Sequence, residues 1–421
     1  MHPWPRNPVV LLLVVILVSG LARPTPATAV RLAWNPALNL SNLAGRSWAA
    51  TMASSPLNGD LLIAWEEYGL ATQDEIAGRL WHRRTGVWTP VQNLSQFDGR
   101  DGSPALFFDS DGRGVLLWTR RYTEAQGGPG TDLIWRSWAG AGWSDESALM
   151  HRDFYLQGTY GLIPVQTGDA VLLFITWHTS YMTITYQNGV WGEPSGWTFL
   201  DVRLGQVLAD PVGVLHAAAY GENSSQGGLD PYFYDAYYLS YDGANWSAPV
   251  NLSFTDGVAD SVGLAFDGQD RLHFFWSDPD STYSSESLRS AIWERVWQDG
   301  AWTPNAEVTA HNTDQAINGF SLAADVSGTL HLAWSEGLMV AGGHTDLDIY
   351  YQAGDGLTWG PEEQVYTSTA ASRYPFLLTG GDNLSLSWQE IPTSGQDEVY
   401  FSCQGCLYSE PFRGYLPLLA Q

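Results

Sequence analysis

Seven tryptophans recur along the chain at a nearly constant spacing, and this repeat constrains the fold more than any local feature. Successive members are separated by 54, 55, 48, 55, 56 and 57 residues. A fixed period of this length is typical of similar supersecondary units that stack to share a core. We call these residues the first tryptophan series: Trp34, Trp88, Trp143, Trp191, Trp246, Trp302 and Trp359.

A second tryptophan series alternates with the first: Trp65, Trp118, Trp177, Trp276, Trp334 and Trp388, with Ala219 or Tyr220 in the position between Trp177 and Trp276. Short apolar runs lie between the two series and are separated by turn dipeptides. The clearest turns are Asn188-Gly189, Asp242-Gly243, Asp299-Gly300 and Asp355-Gly356. Asn-Gly and Asp-Gly between apolar runs predict hairpins in which both central residues have positive φ. Four short antiparallel strands per repeat are typical of a β-propeller blade.

The two ends of the repeat indicate how the ring closes. The segment around Trp34 matches the fourth strand of a blade but has no first three strands before it. The last repeat, 373–401, has three strands and lacks the fourth. We therefore predict an all-β fold, a seven-bladed β-propeller over residues 30–406, in which the N-terminal strand completes the last blade and removes the open sheet edges.

The two termini are predicted to lie outside the propeller. Arg6 precedes an apolar run over 9–18, and Ala27-Thr28-Ala29 offers a small-x-small cleavage site, so residues 1–29 are interpreted as a secretory signal peptide. A retained membrane anchor is the alternative, although the run is short for a membrane span. We expect a secreted or cell-surface protein. The short apolar tail, 407–421, either packs under the last blade or acts in retention or sorting.

The charge of the chain limits its partners. The net charge is −26, and the 19 basic residues are all arginine. Removal of residues 1–29 takes away two arginines and no acid, so 17 basic against 45 acidic residues leave −28. Such a field repels nucleic acid and anionic membrane surfaces. It is compatible with divalent cations, cationic ligands and neutral glycans, and it also keeps an exported protein soluble and favours a monomer.

Cysteine and histidine are predicted to be structural. Cys403 and Cys406 form the only CxxC pair, which suits a redox motif, half of a metal site or a small disulfide. Outside the cell a disulfide is favoured. His216, His273 and His331 occupy one position of the second strand in three successive repeats, and we expect bonds to neighbouring Asp turns such as Asp267 and Asp325.

Charged residues recur on the face of the ring where each blade begins. An acid follows the second tryptophan series by two residues, at Glu67, Glu222, Asp278, Glu336 and Glu390. Other charged residues mark the blade entries: Arg46, Asp98, Arg100, Asp153, Asp201, Arg203, Asp256, Asp314 and Arg373. The five acids are candidates for binding sugar hydroxyls or Ca²⁺. Alternatively, they cap strand ends and pair with neighbouring arginines.

The turn before each first-series tryptophan, followed by Ser/Thr-x-Pro, resembles the Asp-box (BNR) repeats of sialidase-like propellers. The resemblance extends from about Arg31 to Tyr400, and its best copy, Ser240, Asp242, Gly243 and Trp246, is one residue shorter than the usual box. In that family the boxes are folding elements away from the catalytic face. The resemblance implies three arginines that grip a carboxylate, a tyrosine nucleophile and an acid, here Arg46, Arg203, Arg373, Tyr374 and either Asp98 or Glu67.

The chain departs from that family at the expected Arg-Ile-Pro signature, where Arg46-Ser47-Trp48 stands instead. Since propellers host many functions, fold alone does not select one. We predict a secreted, non-catalytic recognition or scaffold module that binds an extracellular glycan or protein. The alternative is a sialidase-like glycoside hydrolase of the exo-α-sialidase type, and the third hypothesis is a Ca²⁺-stabilised adhesion propeller.

Overall fold

The computed structural model describes residues 33–68, 74–97, 99–122, 130–153, 161–222, 234–254, 259, 261–279, 290–309, 315–340, 343–344, 346–380, 383–392 and 395–406. These residues form seven separate antiparallel sheets, each with four strands in its main path. The predicted seven-bladed propeller is confirmed. The proposed signal peptide, 1–29, and the tail, 407–421, lie outside the described residues.

The strands follow the order expected from the sequence. The short β1 is Leu38–Asn39. Blade 1 comprises β2 (Arg46–Ser54), β3 (Leu61–Tyr68), β4 (Asp74–His82), β5 (Val87–Trp88) and β6 (Gln92–Asn93). Blade 2 comprises β7 (Arg100–Phe108), β8 (Gly114–Tyr122), β9 (Gly130–Trp138) and β10 (Ser147–Asp153). Blade 3 comprises β11 (Gly161–Thr167), β12 (Ala170–Trp177), β13 (Ser180–Gln187), β14 (Val190–Trp191) and β15 (Thr198–Phe199).

The second half of the ring repeats this plan. Blade 4 comprises β16 (Arg203–Ala209), β17 (Leu215–Glu222), β18 (Tyr234–Tyr241) and β19 (Val250–Asn251). Blade 5 comprises β20 (Ser261–Phe266), β21 (Leu272–Pro279), β22 (Ser290–Gln298), β23 (Ala301–Trp302) and β24 (Ala306–Glu307). Blade 6 comprises β25 (Gln315–Ala324), β26 (Leu330–Val340), β27 (Gly343–His344), β28 (Asp348–Gly354) and β29 (Glu363–Tyr366). Blade 7 comprises β30 (Ala371–Gly380), β31 (Asn383–Ile391) and β32 (Glu398–Gln404), with β1 as its outer strand.

The N-terminal strand closes the ring as predicted. Leu38 pairs with Phe401 and Asn39 pairs with Tyr400, while Trp34 bridges to Gln404. The innermost strand of every blade contacts that of the next, including β30 with β2. Cys403 and Cys406 are joined by a disulfide in the same region. The described part of the chain contains no helix long and apolar enough to cross a membrane.

Each junction between neighbouring blades contains its own hydrophobic core. The core between blades 7 and 1, for example, joins Trp65 and Trp88 to Val399 and Phe401. Equivalent clusters lie at the other six junctions. Both faces of a blade are therefore buried, which explains why its strands are rich in apolar residues on both faces and why seven units stack into one body.

The two tryptophan series have different packing roles. Second-series tryptophans are almost wholly buried in the second strand, apart from the half-buried Trp177. Each first-series tryptophan pairs with the end of the third strand of its own blade. Its ring also packs on the preceding blade, as Trp88 does on Phe401 at 5.1 Å and Trp302 on Tyr238 at 5.0 Å. The spacing of the first series therefore reflects a contact between blades.

The turn prediction is correct for two of the four dipeptides. Asn188-Gly189 and Asp299-Gly300 have positive φ at both residues. In the other two turns only Gly243 and Gly356 have positive φ. In these two turns the aspartate before the glycine accepts two backbone N–H bonds through one carboxylate oxygen. This side chain stabilises the turn, so the aspartate itself does not need a positive φ.

Candidate functional site

Four of the five acids that follow the second tryptophan series are buried between blades. They are Glu67, Asp278, Glu336 and Glu390, whereas Glu222 is exposed. Glu67 accepts hydrogen bonds from Ser47 Oγ at 2.5 Å and from Trp65 Nε1 at 2.9 Å. Burial raises the pKa of Glu67, against the effect of these two donors.

Related hydrogen bonds hold the equivalent acids of blades 6 and 7. Glu336 accepts from Trp334 Nε1 at 2.7 Å, and burial raises the pKa of Glu336 to about 7. Glu390 accepts from Ser372 Oγ at 2.6 Å and also from Ser368 Oγ. The partners described here for Glu67, Glu336 and Glu390 are indole and hydroxyl groups. A ligand role for the five acids stays a prediction.

The inner strands carry a β-bulge near the blade entry in four consecutive blades, 6, 7, 1 and 2. The register shifts between Ile317 and Phe320, Arg373 and Phe376, Trp48 and Thr51, and Gly102 and Ala105. A residue with positive φ lies in each bulge: Gly319, Tyr374, Ala49 and Ser103. Left-handed Ala and Tyr are uncommon, and bulges re-aim side chains near functional sites. Blade 4 also has a bulge, between Leu204 and Gln206, but no residue in it has positive φ, so the four bulges with left-handed backbone set this arc apart.

We use the name entry junction for the surface where blades 7 and 1 meet at this arc, formed by Arg46, Trp48, Arg373, Tyr374, Gln389 and Asp397. Arg46 binds the buried carboxylate of Asp397 at 2.7 Å, and its guanidinium lies 5.3 Å from the centre of the Trp48 ring. Gln389 Nε2 donates to the same carboxylate at 3.1 Å. Arg373 pairs with Gln389 across the strands, and Tyr374 beside it is 61% exposed. Two of the three predicted arginines and the predicted tyrosine therefore lie at one junction.

Glu66 extends this surface toward blade 2, and sequence reasoning missed it. Its carboxylate accepts from Trp48 Nε1 at 2.7 Å and from the Ser103 backbone N–H at 2.6 Å, so it joins two bulges of adjacent blades. Burial raises the pKa of Glu66, and nearby Asp74 also raises it, while the two hydrogen bonds and Arg121 lower it. A Cβ at Gly102 would lie 3.1 Å from this carboxylate, which favours glycine there.

Arg203 lies away from this cluster, in blade 4. Its guanidinium lies 5.7 Å from the centre of the Tyr234 ring, three blades from Arg46 in the seven-membered ring. At the other entries, Arg100 lies 3.9 Å from Asp74, and Asp201 is exposed. Asp98, Asp256, Asp314 and the side chain of Asp153 lie outside the described residues.

The three histidines have the structural contacts that the sequence predicted. His273 lies between Asp267 and Glu294, at 3.2 and 2.5 Å. His331 lies between Asp325 and Tyr351, and His216 between Asp210 and Tyr238. Among the residues that the structure describes, no group of three or more His, Cys, Asp or Glu side chains is arranged to hold a metal ion.

A second structural module, also missed from sequence, involves the Asn-Leu-Ser triplets that begin at Asn39, Asn93 and Asn251. In each the leucine is buried, and the serine hydroxyl accepts from a backbone N–H of the third strand. The same hydroxyl donates to an acid of that strand: Glu398, Glu75 or Asp235. These acids are acceptors within the fold.

Comparison with known proteins supports the fold of the chain but not a function. No protein-family model and no curated protein sequence matches the chain. Among solved structures, a polysaccharide lyase described as an ulvan lyase matches with a TM-score of 0.55 and 10% identity, over 88% of this chain and 94% of that one. The polysaccharide lyase Uly1 matches with a TM-score of 0.50 and 11% identity, over 91% and 94%.

The NanB sialidase of Streptococcus pneumoniae also matches, with a TM-score of 0.47 and 11% identity, over 88% of this chain and 71% of that one. The similarity of fold rests on the two polysaccharide lyases, because the TM-score of the sialidase match is below 0.5. At about 10% identity, function has to be argued from the site.

Proposed function

We propose that this protein is an exported, non-catalytic carbohydrate-recognition propeller whose ligand contacts the entry junction. The observation that carries the proposal is the run of bulges over four adjacent blades, which leaves the Tyr374 ring exposed beside Arg373. An exposed aromatic ring offers a stacking surface for a sugar, and the neighbouring arginines offer donors for its oxygens. The fold similarity to polysaccharide lyases is compatible with a glycan ligand.

A group of arginines indicates the class of glycan, although the carboxylates of Asp397, Asp74 and Glu66 lie beside them. Although the chain carries a net charge of −26, four of its 19 arginines stand at the entry ends of blades 7, 1 and 2: Arg373, Arg46, Arg100 and Arg121. Arg46 remains about half exposed while it binds Asp397. Because guanidinium groups recognise carboxylates in a bidentate manner, we propose a glycan with carboxylated sugars, bound against an otherwise repulsive field.

A sialidase-like glycoside hydrolase is the second candidate, and one observation favours it. Arg46, Arg373 and Tyr374 lie at the same junction. The Trp48 side chain of that junction donates a hydrogen bond to Glu66, a carboxylate whose pKa is raised. The position of Arg203 argues against a triad of arginines, because it lies in blade 4, three blades from Arg46. A hydrolase that needs all three arginines would lose turnover in Arg203→Ala, whereas binding at the entry junction would be unaffected by that change.

The test combines a glycan array with turnover of a fluorogenic sialoside, using the mature chain and a Tyr374→Asn variant. Asparagine tolerates positive φ, so the bulge is retained while the aromatic ring is lost. Leu357→Asn is the matched control, because Leu357 is similarly exposed in the turn of blade 6 at the opposite face. We expect binding of carboxylated glycans that falls about tenfold in Tyr374→Asn and persists in Leu357→Asn.

The outcomes separate the candidates. Turnover by the unaltered chain that disappears in Arg46→Ala would reject the recognition proposal and support the glycoside hydrolase. Unchanged binding in Tyr374→Asn would remove the entry junction as the site. An absence of both glycan binding and turnover would contradict the proposal and favour a protein-binding scaffold.

A further inference from the structure

The outer edge of blade 3 departs from the repeat. In the other six blades the first-series tryptophan stands four residues before the next outer-strand segment, as Trp88 does before Gln92 and Trp302 before Ala306. In blade 3 the outer strand is first paired at Thr198, seven residues after Trp191, so residues 192–197 form no ladder pair. The chain is not longer there, because Met150 and Tyr366 pair in the same register seven residues after Trp143 and Trp359. The unpaired segment is anchored, because Trp197 packs against the core shared by blades 2 and 3.

This unpaired edge borders a cleft of about 480 Å³ between blade 3 and the turn of blade 4 that carries Trp246. Its walls include Tyr181, Ser195, Phe199, Asn245 and Trp246. The volume lies within the range of sites that hold small ligands. The cleft belongs to the part of the ring opposite blades 7 and 1, so it is separate from the entry junction.

The aromatic groups of the cleft are held in place by one another. Trp246 Nε1 donates to the Tyr181 hydroxyl at 2.9 Å, and the Trp246 ring lies 6.1 Å from Phe174 and 5.3 Å from Tyr241. Phe199, in contrast, is 76% exposed although it pairs with Ser180 in β13. An exposed phenylalanine at the rim of a rigid aromatic cleft is available to a ligand.

The polar groups of the cleft are hydroxyls and an amide. Ser195 Oγ lies 3.2 Å from Thr183 Oγ1, and Thr198 and Asn245 are exposed at the margin. None of the residues lining the cleft carries a charge, although the chain as a whole has a net charge of −26. A charged ligand would therefore find no counter-ion among the lining residues.

From these observations we propose that the cleft between blades 3 and 4 is a second ligand site, which binds a neutral saccharide. A sugar ring has an apolar C–H face that stacks on an aromatic side chain, and hydroxyl edges that bond to Ser, Thr and Asn. Residues 192–197 leave the ladder in blade 3 and border this site, which explains why the cleft forms at this junction. The site would let the protein hold a neutral segment of a polysaccharide while the entry junction acts independently.

The test is isothermal titration calorimetry of the mature chain with neutral gluco-, manno-, galacto- and xylo-oligosaccharides and with a uronic-acid oligosaccharide. The test variants are Phe199→Ala and Asn245→Ala. Phe254→Ala is the matched control, since Phe254 is 71% exposed and does not line the cleft. We expect at least one neutral oligosaccharide to bind, with a Kd about tenfold weaker in Phe199→Ala and unchanged in Phe254→Ala.

A second variant, Thr198→Trp, places a large side chain in the cleft and should abolish this binding. Its folding is checked by circular dichroism, and Phe199→Ala provides the answer if Thr198→Trp does not fold. Absence of binding to every neutral oligosaccharide, or binding that Phe199→Ala leaves unchanged, would overturn the proposal. Loss of neutral-sugar binding in Tyr374→Asn would also overturn it, because the ligand would then belong to the entry junction.

Discussion

Trp334 donates its indole N–H to the carboxylate of Glu336, two residues further along the same strand, at 2.7 Å. Trp65 makes the same bond to Glu67 at 2.9 Å. Side chains two residues apart in a strand lie on the same face, so an acid in this position shares the buried face of the tryptophan. The indole satisfies one carboxylate oxygen inside a blade junction, while burial of the carboxylate itself raises the pKa of both acids.

This relationship predicts a pH dependence of stability. Burial raises the pKa of Glu336 from its ordinary 4.5 to about 7. The folded state therefore binds more protons than the unfolded state between pH 4.5 and 7. The free energy of unfolding falls as the pH rises through this window, and Glu336 alone accounts for roughly 3 kcal/mol of the fall. Glu336→Gln should reduce this fall, as measured by urea unfolding at pH 5 and pH 8. Glu193→Gln, at an exposed site, is the control; equal slopes in both variants would contradict the assignment.

The first tryptophan series should carry much of the stability between blades. Trp88 is buried and packs edge-on against Phe401 of the preceding blade. Trp88→Ala should lower the free energy of unfolding by about 3–5 kcal/mol, because it removes a large ring and leaves a cavity. Trp297→Ala, at a 43% exposed position, should cost clearly less in the same denaturation experiment. Similar losses would mean that the junction contact is not the source of stability.

Ring closure by β1 should determine the association state. A chain that begins at residue 43 lacks β1 and leaves β32 as an open strand edge next to the buried Val399 and Phe401. We expect a lower Tm and concentration-dependent association by light scattering, compared with a chain that begins at residue 30. A truncated chain that stays monomeric with an unchanged Tm would contradict the closure by β1.

The bulge at Ala49 should be strained. Its φ of 51° is in the left-handed region, which costs an alanine about 1–2 kcal/mol. Ala49→Gly should therefore be neutral or stabilising by up to about 1 kcal/mol, after the entropy of glycine in the unfolded chain is subtracted. Ala301→Gly, in an exposed strand without positive φ, should destabilise. Thermal unfolding of both variants tests the difference, and destabilisation by Ala49→Gly would argue against strain at Ala49.

Calcium stabilisation remains a prediction for the five acids that follow the second tryptophan series. If acids such as Glu222 and Asp278 hold Ca²⁺, a chelator should lower the Tm, because removal of a ligand bound only to the folded state withdraws its contribution to stability. Differential scanning fluorimetry with EGTA, and with EGTA plus excess Ca²⁺, measures this. An unchanged Tm would exclude a calcium site that contributes to stability.

The repeat made the fold predictable, whereas the direction of each polar side chain was harder to foresee. The acids after the second tryptophan series looked like a ligand ring because they end strands on the entry face. Glu66, one residue earlier, lies on the other face of its strand and bonds Trp48 and Ser103. Strand alternation relative to the buried Trp65 was the signal that could have separated Glu66 from Glu67.

The sequence by itself determined the class of fold, the number of blades and the closure of the ring, because each depends on a period that every blade repeats. The tertiary structure decided which of the predicted site residues meet. Arg46 binds Asp397 only because the first and last blades are neighbours in a closed ring. Arg203 is far from Arg46 only because blade 4 lies on the other side of that ring. The cleft at Phe199 likewise needs two blades to form. Contacts between blades depend on the geometry of the ring, and no local pattern encodes that geometry.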